Sequence, residues 1–203
     1  MSVEATRLPA AARRASPWRN GGGLTYEVAI HPPHAGLDDF DWRVSVAHIA
    51  RGGPFSLFPG IERQLLLLEG CLHLTVGGGC HRLSADSPPL VFDGGAAASA
   101  APQGRVHDLN VMTRVDRYRA RIRRCRLRDP QPVAPRDEGA VLLFALEPCE
   151  WVGGEGVLTL EPWDALRLGT VPGELRPVHA TARFCEIRLG PVRPEDCSRP
   201  QPR

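Results

Sequence analysis

The sequence predicts an all-β protein built from two similar halves, and three observations carry that prediction. Helical periodicity is scarce along the 203 residues. Short apolar runs alternate with Gly/Pro turns at roughly 8–12-residue intervals, the spacing of a sandwich or barrel. The order strand–turn–strand also recurs: "LLLLEG" (65–70) matches "LLFALEP" (142–148), and "LSADSPPLVF" (83–92) matches "LEPWDALRLG" (160–169), at nearly equal offsets.

Taken in order, "PWRNGGGLTYEVAI" (17–30) begins irregularly and ends in apolar residues spaced by two: Leu24, Tyr26, Val28 and Ile30. Its glycines enter a strand rather than a helix, and no Lys-Ser/Thr pair follows, which excludes a phosphate-binding loop. "WRVSVAHIA" is a strand with Trp42, Val44, Val46 and His48 on one face and Arg43, Ser45 and Ala47 on the other. "QLLLLEG" has the composition of a strand buried on both faces. "CLHLTV", "GGG" and "CHRL" form a hairpin whose turn, Gly77 to Gly79, supplies positive φ. "VHDLNVMT" and "YRARIRRCRL" are two further strands. "AVLLFALEP", "GVLTLEP", "WDALRLG" and "RFCEIRLG" make up the second half, and "RDPQPVAPRDEG" is the expected connector.

An apolar strand ending in Glu-Gly, a hairpin, then an acidic turn before another apolar strand resembles the rhythm of a cupin half-barrel. Two such units predict a double cupin, two antiparallel β-barrels packed together, over residues 1–129 and 130–203.

A hydrophobic fraction of 42% and a charged fraction of 24% are those of an ordinary globular protein, and a net charge of +2 is too small to argue for nucleic acid. All 25 basic residues are Arg, which excludes Schiff-base chemistry; with abundant Ala, Gly and Pro it also reflects a GC-rich coding preference. The six cysteines (71, 80, 125, 149, 185 and 197) form no C-x-x-C pair and are expected to be reduced and mostly buried. No signal peptide or membrane span is legible, so a soluble, cytoplasmic protein is expected.

Metal-binding cupins place His and Glu on the strand entering the Glu-Gly turn. Here "FSLFPGIERQLLLLEG" contains no His, and Arg63 stands where the metal-binding Glu would be expected; a guanidinium there repels a divalent cation. "RDEGAVLLFALEP" also lacks His, and the seven histidines (31, 34, 48, 73, 81, 107 and 179) scatter over turns and strands. No metal and no cofactor are expected. No Ser occupies a G-x-S-x-G elbow, and Asp38, Asp39 and Asp41 have the setting of a solvated turn.

The polar residues of the first half are more informative. In "DLNVM", Asp108, Asn110 and Met112 share a face; Arg43 and Ser45 share another, and Arg63 starts the next apolar strand. Arg with Asn and Ser suits a small carboxylate or amide, because Arg offers a planar fork and Asn both a donor and an acceptor. An ion pair between Asp108 and an Arg, closing a barrel mouth, is the equal alternative. In "RVDRYRARIRRCRLRD", Arg117, Arg119, Arg121 and Arg123 alternate with Tyr118, Ala120 and Ile122, the pattern of a charged wet face more than of a nucleic-acid stripe.

Together, "WRNGGGLTYEVAI", "FDWRVSVAHIARGGPFSLFPGIERQLLLLEG" and "DLNVMTR" resemble the signature blocks of the HutD/Ves family of bacterial proteins related to histidine utilisation. The resemblance runs from about Trp18 to Arg114. It implies a double cupin, a homodimer and a cytoplasmic protein without established enzymatic activity, a regulator or binder of a histidine-breakdown intermediate such as urocanate or formylglutamate. It also implies that Asn20 and Glu27 lie by the barrel mouth, completing a ligand-binding set of Asn20, Glu27, Arg43, Ser45, Arg63, Asp108 and Asn110. The family commonly carries a second Arg after "DxNxMxR", whereas here Val115 follows Arg114. Two other functions compete: a cupin isomerase or hydrolase with Asp108 or Glu27 as general base, and an interaction protein using the Arg-rich strand for nucleic acid or an acidic partner.

Overall fold

The computed structural model describes residues 5–18, 20–135, 138–154 and 156–193. The alternating pattern becomes strand throughout, and the described residues contain no α-helix, only a 3₁₀ turn at Ala10–Ala12.

The described residues form three antiparallel sheets. An eight-stranded sheet holds the first half, its central order running Ala15–Pro17, Gly23–His31, Trp42–Ile49, Ala98–Arg114, Ile61–Val76 and Gly79–Ser84. Two of these strands are long, at 16 and 17 residues, and register shifts between Leu67, Glu69 and Cys71 bend them. Gly70 sits in that bend with φ +87°, where a Cβ would lie 2.1 Å from the Arg105 carbonyl oxygen. The bent sheet folds over an apolar cluster that includes Ile49, Leu65, Leu67, Leu72, Leu74, Phe92 and Val106.

A five-stranded sheet (Thr6–Leu8, Ala165–Arg167, Ala140–Ala145, Ala182–Pro191, Tyr118–Leu127) and a four-stranded one enclose a second core around Trp151, Phe184, Leu143 and Leu175. A third core joins the halves: Trp42, Val44, Val46, Leu66, Leu109 and Val111 meet Ile122, Leu142, Phe144, Cys185, Ile187 and Leu189. "QLLLLEG" is thus buried on both faces as expected, Leu66 toward the second half and Leu65 and Leu67 inward.

Several expectations are corrected. The sheets are open, with free outer strands, and are not closed barrels. The Tyr118–Leu127 strand and Thr6–Leu8 hydrogen-bond into the sheet that also holds Ala140–Ala145, Ala165–Arg167 and Ala182–Pro191. The proline-rich segment is not merely a connector: Gln131–Val133 pairs with Gly173–Leu175. Of the five described cysteines only Cys149 and Cys185 are buried; Cys80 is exposed, and Cys197 lies outside the described residues.

The segment at Asn20 is a compact turn. Asn20 Oδ1 accepts from Gly22 N–H at 2.9 Å, its amide donates to the Pro54 carbonyl at 3.3 Å, and Gly21 adopts φ +65°. Gly23 permits close packing at the strand entry, since a Cβ there would lie 2.4 Å from the His48 carbonyl oxygen and 3.1 Å from the Trp18 ring.

Candidate functional site

Strand register assembles the polar residues. Along Ala98–Arg114, Asp108, Asn110 and Met112 point to one face because alternate residues share a face. On one side their partners are Ala47, Ser45 and Arg43; on the other, Leu67, Leu65 and Arg63. Glu27 follows one strand further out, opposite Ser45, just before a register shift in its own strand. Glu27, Arg43, Ser45, Arg63, Asp108 and Asn110 therefore lie on one face of four adjacent strands. Asn20 stands apart: it is exposed and holds its own turn and Pro54.

This polar band lies between two apolar clusters. One is the core of the folded sheet, with Leu65, Leu67 and Ile49; the other is Phe40, Ile61 and Met112. Arg63 is the centre of the band. Its guanidinium carbon lies 4.8 Å from the Phe55 ring centroid and 5.1 Å from that of Phe92, so two aromatic faces flank the cation. Trp18 meets Phe55 edge-on at 5.8 Å and donates its indole N–H to Thr25 Oγ1, fixing that wall.

Arg63 is only 7% exposed, and among the described residues its hydrogen bonding is a long 3.5 Å contact to Asn110 Oδ1. A buried guanidinium with five donors is left under-satisfied. Burial brings its pKa down to about 10, opposed by the attraction of Asp108 and reinforced by Arg43. Burial likewise pushes the Asp108 carboxyl up to about 7, opposed by Arg63. Asp108 Oδ1 is buried and has no hydrogen-bond partner, and no ion pair joins it to an Arg among the described residues. Arg43 is held by Glu27 at 2.9 Å. Ser45 is buried beside Asn110.

Chemically, the band offers a desolvated fork for an anion next to a buried acceptor with no donor. It does not suit a divalent cation: Arg63 occupies it, and among the described residues no three His, Cys, Asp or Glu side chains gather as a metal-ligand set. Arg114 is structural here, donating to the carbonyls of Asp38 and Phe40, while Asp41 pairs with Arg117 at 2.8 Å.

Sequence reasoning missed the aromatic clamp, since nothing local in "GPFSLFP" or "PPLVFD" announces that Phe55 and Phe92 close on Arg63. It also missed a histidine pair. His48 and His107 are register partners that stack at 4.8 Å on the opposite face, where His107 Nδ1 lies 3.0 Å from Glu69 Oε2 and packs on Trp163. Burial lowers the His107 pKa, with the Glu69 hydrogen bond opposing.

The HutD family model matches residues 10–182. The chain belongs to the HutD family. An uncharacterized 21.2 kDa protein from the hutC 3' region of Pseudomonas putida is 34% identical over 177 residues, covering 85% of this chain and 90% of that protein. Protein Ves of Citrobacter koseri is 44% identical over 110 residues, 52% of this chain and 56% of Ves, so this match spans little more than half of either protein. Among solved structures, HutD from Pseudomonas fluorescens SBW25 superposes with a TM-score of 0.76 at 26% identity, over 93% of this chain and all 100% of that one. A cupin 2 conserved barrel domain protein from Leptotrichia buccalis reaches 0.63 at 7% identity, over 93% and 97%, a likeness of fold alone. The HutD-family chain is thus cupin-like and all-β. No helix among its described residues is long and apolar enough to cross a membrane.

Proposed function

We propose that this HutD-family protein binds a small carboxylate without a metal, and that the ligand is a histidine-breakdown intermediate, urocanate or formylglutamate. The observation that carries the reading is the buried, aromatic-flanked Arg63 beside the unpartnered Asp108 Oδ1. The ligand's carboxylate receives the Arg63 fork, with Asn110 and Ser45 beside it and Arg43–Glu27 at the rim. Its N–H, on imidazole or formamide, meets Asp108 Oδ1. Asn20 acts indirectly, by holding the Pro54 end of the segment that carries Phe55. The family name supports the pathway, and the chemistry supports the class of ligand. On this reading the protein is a cytoplasmic homodimer of cupin-like fold that senses or sequesters the metabolite.

Isothermal titration with urocanate, formylglutamate, glutamate, histidine and formate tests it. Saturable binding of urocanate or formylglutamate, at least ~10-fold tighter than formate, is expected because formate lacks the N–H and most of the contact surface. Equal, weak binding of all five would contradict the proposal. A second reading rests on the buried Asp108 carboxyl, whose pKa of about 7 suits a general base. Turnover of a bound carboxylate that disappears in Asp108→Asn would favour it.

A further inference from the structure

A second feature lies behind the strand that carries Arg63, on the opposite face of the first sheet, where Leu66 and Gln64 turn toward the second half. The Tyr118–Leu127 strand is the outer strand of the five-stranded sheet, paired on one side with Ala182–Pro191. On its other side the Ala120 carbonyl accepts from Gln64 Nε2 at 2.8 Å, so the alternation of an antiparallel strand turns the N–H and C=O groups of Ile122, Arg124 and Arg126 the same way. They face a cleft of about 540 Å³ with an apolar floor, Leu66, Ile122, Pro88 and Pro89, within the size range of binding pockets. Arg124 braces its wall by donating to the carbonyls of Leu67 and Ser87. The charged lining is Arg123, Arg124, Arg126 and Arg183 against Asp86 alone.

We infer that this cleft takes up an extended acidic peptide, which adds to the sheet as a further strand along Ile122–Arg126. Main-chain hydrogen bonds give such an addition its affinity and alternate side chains its specificity. The charges choose the occupant. A second copy of the strand would set arginine against arginine across the ladder, and like charges directly opposite are destabilising. An acidic strand reverses the sign of every such pair. Arg126 lies opposite Arg183, and Arg119, Arg121 and Arg126 have no ion-pair partner among the described residues, so cationic groups remain for the peptide. Arg123 and Arg183 are already shared with Glu186 and Glu147.

The test is fluorescence anisotropy with a fluorescein-labelled Glu-Val-Glu-Val-Glu-Val-Glu peptide and the full-length protein. Saturable binding is expected, weakened roughly tenfold or more by Arg126→Glu. That side chain is exposed, and unchanged circular dichroism would show that the fold is kept; Arg126→Gln gives a milder version of the same loss. The same peptide N-methylated at every residue keeps its charge but has no N–H left on either edge to pair with a strand, and it should not bind. Equal binding of the N-methylated peptide or of a Lys-Val counterpart, tighter binding of a single-stranded RNA oligonucleotide, or no saturable binding would each overturn the inference.

Discussion

Arg63→Met should abolish carboxylate binding while leaving the protein folded. Met fills much of the space between Phe55 and Phe92 but offers no donor, so the ligand's carboxylate would enter a desolvated site unpaired. Truncating one partner of a buried, hydrogen-bonded charge pair costs about 2–5 kcal/mol, so a loss of at least ~30-fold is expected in a calorimetric titration. Arg63→Lys should recover only part of it, because an ammonium supplies charge without the planar fork and stacks less well on the flanking rings. Full affinity in Arg63→Met with intact far-ultraviolet circular dichroism would place the carboxylate elsewhere. The same variant separates the two surfaces of the protein: Arg63 belongs to the inner face of the first sheet, and peptide binding along the Tyr118–Leu127 strand should be unaffected.

The second large effect concerns Asp108 and stability. Its carboxyl is raised from 3.8 to about 7 because burial disfavours the charge more than Arg63 favours it. The folded protein then holds this proton more tightly than the unfolded chain. Stability from the group is fully present below pH 3.8 and is lost as pH rises through about 7. Converted at about 1.36 kcal/mol per pH unit, the loss is on the order of 4 kcal/mol. Asp108→Asn keeps the shape and carries no charge. Urea denaturation of the ligand-free protein should therefore show the variant gaining on the wild type between pH 4 and 7, and the gain levelling off above. A variant less stable than the wild type at pH 8 would mean that ionised Asp108 is well paired in solution, and the open acceptor in the site would disappear with it.

How much of this was legible in the sequence depends on how local each signal is. Strand identity is a period-two property, so "WRVSVAHIA" and "DLNVM" disclosed both their positions and their faces. Placing Arg43, Ser45, Asp108 and Asn110 on one face required only that the two strands be neighbours, and they are. Arg63 joined them because its strand flanks the other side. The pairings that cross the halves were not legible. Nothing in "TRL" says that residues 6–8 will pair with 165–167, and nothing in "YRARIRRCRL" says that its partner is residues 182–191 rather than a strand of the first half. The positive-φ glycines of the hairpin are a local demand and were read correctly at Gly77 and Gly78. For Asn20, a place by the barrel mouth is what the family resemblance alone implies; no local signal in "RNGGG" points there. In three dimensions its amide is used up locally by Gly22 and Pro54. The aromatic flanks of Arg63 come from Phe55 and from Phe92, the register partner of Arg63 in the short strand Leu90–Asp93, and pairings between segments that far apart in the chain leave no periodic trace.

The most direct measurement is a crystal structure of the protein grown with formylglutamate or urocanate. A carboxylate group is expected within about 2.7–3.1 Å of the Arg63 guanidinium where Phe55 and Phe92 flank it, with the ligand's N–H turned to Asp108 Oδ1. A ligand bound elsewhere, or an Arg63 whose fork is closed onto Asp108 with no ligand at saturating concentration, would contradict it.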